Sequence, residues 1–319
     1  MTTRHPTSHV PSVKRIHIII NPASGRREAT LSIINAAMKE AGIKWDASIT
    51  HQAGDATGFA KAAVKDGIDA LAVYGGDGTL TEAISGMIGS ETPLVILPGG
   101  SANVMATELG IPADLKEACA LLSHGPLKTK PIDVGQFDKR HFMVRVSLGF
   151  EANVVKDADR KTKNKIGIFA YFLAAAAALK NTKTAVYHLN NDGQEREVKG
   201  LSCMIANTGN LGFSHISLDK DISVSDGLLD VVVLRKANLS LLKLIIVTLL
   251  KWKRRDTVEL VEHWQGKDIS VSASPKQMVQ CDGELLDNGP LHIKIIPAAI
   301  TVVVPRQSAA SHPPSPRRQ

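Results

Sequence analysis

Two apolar runs in the first third of the chain end in paired glycines and pass straight into helical pattern. Ala70–Tyr74 runs into Gly75-Gly76-Asp77-Gly78-Thr79, and Leu94–Leu97 runs into Pro98-Gly99-Gly100-Ser101. A short apolar run bounded by turn residues reads as a buried strand. Strands separated by helices pair in parallel, because each crossover must carry the chain back to the same end. The neighbouring segments repeat the alternation. Arg15–Ile20 is a strand stopped by Asn21-Pro22. Glu28–Gly42 has helical periodicity and ends on glycine, and Trp45–Thr50 is the next strand. Asp55–Asp66 is a helix with Asp55 as its N-cap, and Leu80–Ile88, Asn103–Leu109 and Lys116–Ser123 are further helices. Residues 13–131 are therefore expected to form an α/β domain on a parallel sheet.

From Ile132 the texture changes. Phe142–Leu148, Ala185–Leu189, Leu201–Asn207, Leu229–Leu234, Val258–Val261, Ile269–Ala273, Met278–Cys281, Ile293–Ile296 and Ile300–Val304 read as strands. Helical pattern returns only at Ile166–Lys180 and Leu239–Arg254, and Asn191-Asp192-Gly193 has the residues of a tight hairpin turn. Residues 132–307 are expected to form an antiparallel, β-sandwich-like domain. Residues 1–12 and 308–319, rich in Pro, Ser and Thr, are expected to be a disordered leader and tail.

A length of 319 residues fits two domains. The formal charge of +7 favours anionic partners without choosing among nucleotides, nucleic acid and acidic membranes. No apolar run approaches the roughly 20 residues of a membrane span, and the start of the chain lacks the pattern of a signal peptide. Cys119, Cys203 and Cys281 are too few and too scattered for a disulfide framework or a metal knuckle. They read as buried apolar residues in a reducing, cytoplasmic setting.

The glycine loop at 75–79 carries the clearest chemistry. Glycines let the backbone approach a ligand closely, successive N–H groups form an anion-binding concavity, and the helix that follows adds its positive end. The loop is neither a Walker A motif nor a dinucleotide GxGxxG pattern. The loop around Gly100, Ser101 and Asn103 is either a helix cap or a second phosphate contact. In a parallel sheet ligands sit at the carboxyl ends of strands, and both loops lie there. Asn21 to Arg27 forms a third loop at the same edge. Farther on, Asp282 and Glu284 flank Gly283, either converging on a metal ion or hydroxyl or forming a solvated hairpin turn. Asp219, Asp221, Asp226 and Asp230 suit either a hard-cation site or a polar turn. The histidines show no ligand spacing, and no GxSxG elbow supports a hydrolase.

The ordered set NPASG, GGDGTLTE, LPGGSAN, SDGLLDV and CDGE resembles the diacylglycerol kinase catalytic-domain family, over about Arg15 to Val304. The resemblance implies an α/β nucleotide-binding domain facing an antiparallel β domain across an active-site cleft. It implies a lipid kinase that uses ATP and Mg²⁺, acting on a hydroxyl-bearing lipid at an anionic membrane surface, with no part for nucleic acid. Asn21, Thr50, Gly75, Gly76, Asp77, Gly78, Thr79, Leu80, Thr81, Gly100, Ser101 and Asn103 would grip the nucleotide. Asp77 would lie near the phosphates and their Mg²⁺, and Asp282 or Glu284 would be the general base. Ser223, Asp226 and Leu228 match the family's structural Mg²⁺ site. One departure stands out: Val104 replaces the Asp of the family's GTAND wording.

Ile166–Leu179 is apolar nearly all round and must be buried or face an apolar ligand. Leu239–Leu250 followed by Lys251-Trp252-Lys253-Arg254-Arg255 is either an interfacial membrane element or a core helix with a cationic end. An NAD kinase, which shares GGDG, and a non-catalytic lipid- or nucleotide-binding regulator are the alternatives. Edge strands of the second domain leave room for a homodimer.

Overall fold

The computed structural model describes residues 8–10, 12–24, 29–123, 125–149, 184–209, 222–235, 261–286 and 289–306. The helical patterns at 166–180 and 239–254 lie outside these residues, as do Arg26, Arg27, Asp219 and Asp221.

The first half forms β2 (Arg15–Ile20), α1 (Thr30–Ala41), β3 (Lys44–Ile49), α2 (Asp55–Lys65), β4 (Ala70–Gly75), α3 (Asp77–Met87), β5 (Leu94–Pro98), α4 (Val104–Glu108) and α5 (Leu115–Ala120). The strands are parallel and ordered β5-β4-β2-β3. Every residue of β4 and β5 is buried, as a central parallel strand covered on both faces requires. α1 buries Ile34, Ala37 and Met38 and stops at Gly42, whose φ of 68° lets its N–H reach back to the Lys39 carbonyl. α5 begins under Asp114, whose carboxylate accepts the Glu117 N–H at 3.0 Å.

The second half gives β6 (Leu127–Phe137), β7 (Arg140–Phe142), β8 (Arg145–Gly149), β9 (Ala185–Asn191), β10 (Gln194–Gly200), β11 (Ser202–Ala206), β12 (Leu229–Leu234), β13 (Val261–Gly266), β14 (Asp268–Ser274), β15 (Val279–Cys281), β16 (Glu284–Leu286) and β17 (Leu291–Val303). One antiparallel sheet runs β13-β12-β11-β8-β15-β16. The strands β10-β9-β14-β17 continue the parallel sheet, because β17 pairs in parallel with β5 at Val302 and Leu94. Alternate residues from both layers meet in one core: Tyr187, Leu189, Ile269, Val271 and Ile293 face Val146, Leu148, Ile205, Val231 and Val233. This is the expected antiparallel sandwich. The parallel sheet and its helices enclose a separate core.

Several sequence expectations need correction. The leader is not wholly without structure: β1 (Ser8–Val10) pairs antiparallel with Leu127–Thr129, because β6 offers it an open edge. Ile293–Ile296 and Ile300–Val304 are one strand, β17, interrupted by a bulge between Ile296 and Ile300 where Ala298 has φ 48°. Phe142–Leu148 is two strands rather than one, split at Met143 and Val144. Of Val258–Val261 only Val261 lies within the described residues, and there it belongs to β13, which runs on to Gly266. β6 and β10 were not expected; β10 is polar along most of its length and carries little hydrophobic alternation. The hairpin at Asp192-Gly193 is as expected, with φ of 51° and 84°. All three cysteines are free and buried, and burial raises the Cys119 thiol to about 11 and the Cys203 thiol to about 12.

Candidate active site

β4 and β5 are adjacent and end together, with Gly75 opposite Pro98. Their two glycine loops therefore touch. The Gly99 N–H donates to the Gly75 carbonyl at 2.9 Å. A Cβ on Gly100 would stand 2.6 Å from the Gly76 Cα. Only hydrogen at position 100 permits this approach of backbone to backbone.

The first loop is itself the opening turn of a helix. The sequence suggests a start at Leu80, but α3 begins at Asp77. Gly76, extended at φ −89° and ψ −178°, acts as N-cap, and the Leu80 N–H closes the first helical bond to its carbonyl at 3.1 Å. The helix's positive end thus lies within the glycine loop. Leu80 itself is turned into the core.

The other nucleotide-side residues cluster at this edge. Asn21 Nδ2 donates to Thr79 Oγ1 at 2.8 Å, while its Oδ1 accepts the Ala23 N–H at 2.9 Å, so one side chain ties the loop after β2 to the glycine loop at 75–79. Thr50 is buried, and its N–H donates to the Ile20 carbonyl at 2.9 Å. Asn103, left-handed at φ 46°, uses both amide atoms within its own loop. Its Oδ1 accepts from Gly100 N at 2.9 Å, and its Nδ2 donates to Gly100 O at 2.8 Å. Its observed role is to shape the loop. Ser101 is exposed. Asp77 is part-buried, with Oδ1 accepting from Met105 N at 3.3 Å. Burial raises its carboxyl above the usual range against opposing main-chain hydrogen bonds and the charge of Arg145.

Asp282 and Glu284, separated only by Gly283, have different surroundings. Asp282-Gly283 is the two-residue turn joining β15 to β16, with φ of 43° and 91°. The Asp282 carboxylate points inward. Its Oδ2 accepts from Met143 N at 2.9 Å and Thr81 Oγ1 at 3.1 Å. Its Oδ1 accepts from Val144 N at 3.1 Å and Arg145 N at 2.9 Å. Those donors explain the split of Phe142–Leu148: the N–H groups at the break turn to the carboxylate. Burial raises the Asp282 carboxyl, with these hydrogen bonds opposing the shift. The residue as a whole is only part-buried, since its turn backbone is accessible while its carboxylate is not. Glu284, by contrast, is exposed. The hydrogen bond from Thr81 to Asp282 joins α3, one turn beyond Asp77, to the DGE turn.

The turn carrying Ser223, Asp226 and Leu228 is fastened by Asp133, a fully buried carboxylate. Asp133 Oδ2 accepts from Gly227 N and its Oδ1 from Ala298 N, both at 2.7 Å. Asp226 Oδ1 accepts from Leu228 N at 3.0 Å. Burial, then the charges of Asp230 and Asp133, raise the Asp226 carboxyl. This excess of negative charge on oxygen donors suits a hard cation, although no group of three or more His, Cys, Asp or Glu among the described residues is arranged to hold a metal. Asp230 Oδ1 is engaged elsewhere, by His263 Nε2 at 2.6 Å and Gln265 Nε2 at 3.1 Å.

Sequence reading missed Asp133 and the Met143–Arg145 donors. For Arg145 a signal was present: a cation interrupts the run Phe142–Leu148, otherwise expected to be apolar strand.

A fold of this build, with touching glycine loops at the carboxyl edge of a parallel sheet and a carboxylate turn from an antiparallel sandwich, defines a kinase class. Residues 15–137 match the diacylglycerol kinase catalytic domain, and residues 144–304 match the YegS C-terminal NAD kinase beta sandwich-like domain. A diacylglycerol kinase from Bacillus subtilis is 28% identical over 302 residues, covering 93% of this chain and 98% of that one. One from Staphylococcus saprophyticus is 30% identical over 278 residues, covering 85% and 89%. A crystal structure of a candidate diacylglycerol kinase from Bacillus anthracis superposes with a TM-score of 0.78 at 26% identity, over 92% and 96% of the two chains. The chain belongs to the diacylglycerol kinase catalytic-domain family, the lipid-kinase class to which its motifs pointed. Among the described residues no helix is long and apolar enough to cross a membrane.

Proposed function

We propose that this protein transfers the γ-phosphate of ATP to the hydroxyl of a lipid, with Mg²⁺, at the cleft between the glycine loops and the DGE turn. The observation that carries this reading is the Thr81–Asp282 hydrogen bond of 3.1 Å, which fixes the carboxylate turn beside the phosphate-cradling helix. Phosphoryl transfer needs positioning and charge stabilisation more than covalent chemistry. The N–H groups of Gly76 to Thr79 and the end of α3 receive phosphate. Mg²⁺ at the phosphates, near Asp77, would offset their charge. Ser223, Asp226 and Leu228 would hold a second, structural ion.

The two carboxylates divide the remaining work. Asp282, with both oxygens engaged by four donors, positions the turn. Glu284, one residue past the turn and open to solvent, is the general base that takes the proton from the lipid hydroxyl. Residues 13–131 then serve as the donor-side unit and 132–307 as the acceptor-side unit. Diacylglycerol, the substrate in the names of the bacterial relatives, is the first acceptor to test. Work on such a substrate calls for peripheral contact with an anionic membrane, which the net charge of +7 favours.

Incubation with ATP labelled on its γ-phosphate, in one arm with mixed lipid micelles and in the other with NAD, tests the reading. Label extracted with lipid supports it. Labelled NADP without labelled lipid would make the protein an NAD kinase, and nucleotide and lipid binding without turnover would make it a non-catalytic regulator.

A further inference from the structure

Arg145 has no part in the motifs that identify this family, yet it stands at the junction of the two halves. It opens β8, and its main chain is locked to Asp282 in both directions: Arg145 N donates to Asp282 Oδ1 at 2.9 Å, and Asp282 N donates to Arg145 O at 3.0 Å. The other oxygen of Asp282 holds Thr81, which lies one helical turn from Asp77 on the same face of α3. Arg145 is thereby seated beside the face of the phosphate helix that presents Asp77. Strand alternation fixes its direction. Val146 and Leu148 enter the sandwich core, so Arg145 and Ser147 project from the opposite face of the sheet. The guanidinium reaches far enough to draw the Asp77 carboxyl downward against its burial, and its Nη1 is shut off from solvent.

A partly desolvated guanidinium beside a phosphate-cradling helix is an expensive arrangement. A bound nucleotide would bring several negative charges to the same place. Arginine presents a planar fork that pairs with two phosphate oxygens at once.

On the reading that the cleft binds ATP, we propose that Arg145 grips the terminal phosphate of ATP from the acceptor side of the cleft and stabilises its charge during transfer. In that step the lipid oxygen forms a bond to the γ-phosphorus while the bond from that phosphorus to the β,γ-bridging oxygen breaks. The bonding electron pair leaves with ADP, and the hydroxyl proton goes to Glu284. Arg145 exchanges no proton or electron. Its sequence signature is a lone cation within the apolar run Phe142–Leu148.

The test uses the full chain as parent, Arg145→Gln and Arg145→Lys, with calorimetric binding of ATP, ADP and AMP and steady-state lipid phosphorylation. Arg145→Gln should weaken ATP binding about tenfold or more, weaken ADP less, and leave AMP unchanged. Its kcat should fall about 10²-fold or more, as for loss of one transition-state donor. Arg145→Lys keeps the charge and loses the fork, so it should fold and recover part, but not all, of both losses. A structural role would lower the affinities for all three nucleotides alike, and that result overturns the proposal. ATP affinity and kcat at parental values in Arg145→Lys overturn it too, even if Arg145→Gln does not fold. A parent protein that binds no ATP would instead defeat the kinase reading on which the proposal rests.

Discussion

Replacing Asp282 with Asn changes one atom and should nonetheless be among the most damaging substitutions in the chain. The carboxylate accepts four hydrogen bonds, two on each oxygen, three of them from consecutive main-chain N–H groups. An amide keeps one accepting oxygen and turns an NH₂ toward two donors. In the better orientation the NH₂ faces Met143 N and Thr81 Oγ1: the hydroxyl can rotate and accept from it, but the Met143 N–H is left facing a donor, and the bonds from Val144 N and Arg145 N lose their charged acceptor. Hydrogen bonds to a charged group contribute about 1.5–3 kcal/mol each, so one bond lost and two weakened cost about 3–6 kcal/mol. Relief of the desolvation that raises the Asp282 carboxyl offsets part of this, and about 3 kcal/mol is the expected net cost. That is a large share of the roughly 5–15 kcal/mol of a typical domain. Urea unfolding measures it, with circular dichroism and intrinsic fluorescence followed together. The Asp282→Asn midpoint should fall clearly, while Glu284→Gln, at an exposed position, should leave it in place. An unchanged midpoint in Asp282→Asn, or a fall in Glu284→Gln, would refute the assignment of Asp282 as the organiser of the turn.

Further outcomes follow from particular contacts. Gly100→Ala places a Cβ 2.6 Å from the Gly76 Cα; overpacking of this kind costs about 1–3 kcal/mol, and calorimetry should show ATP affinity falling with it. The Cys119 and Cys203 thiols are buried with raised pKa values, about 11 and about 12, so at pH 8 they are overwhelmingly protonated. A thiol-reactive dye should label native protein slowly and urea-unfolded protein at all three cysteines. Asp226→Asn removes charge from the carboxylate cluster: Mg²⁺ should raise the thermal stability of the parent, a chelator should reverse that gain, and the gain should shrink in the variant.

Much of the donor side was legible in the sequence because its chemistry is local. Strand, glycine loop and helix follow one another within about twenty residues, and the adjacency of β4 and β5 follows from simple crossovers. The acceptor side was less legible because its partners are distant. Asp282 is bonded to Thr81 and to Met143–Arg145, groups between 137 and 201 residues away, and no pattern within CDGE indicates which acid turns inward. Asp133 shows the same limit: its partners Gly227 and Ala298 are fixed only when β17 returns to pair with both β6 and β5. Terminal β1 escaped notice because three residues carry too little pattern to reveal a strand supplied by a waiting edge.

The central claim is that Glu284 takes the proton of a lipid hydroxyl while the glycine loops hold ATP. The most direct measurement pairs ATP binding with lipid phosphorylation in Glu284→Gln. General bases contribute about 10²–10⁴-fold, so turnover of a hydroxyl-lipid should fall by about that factor while ATP affinity stays at the parental value. Turnover undiminished in Glu284→Gln, with ATP bound as in the parent, would contradict the account.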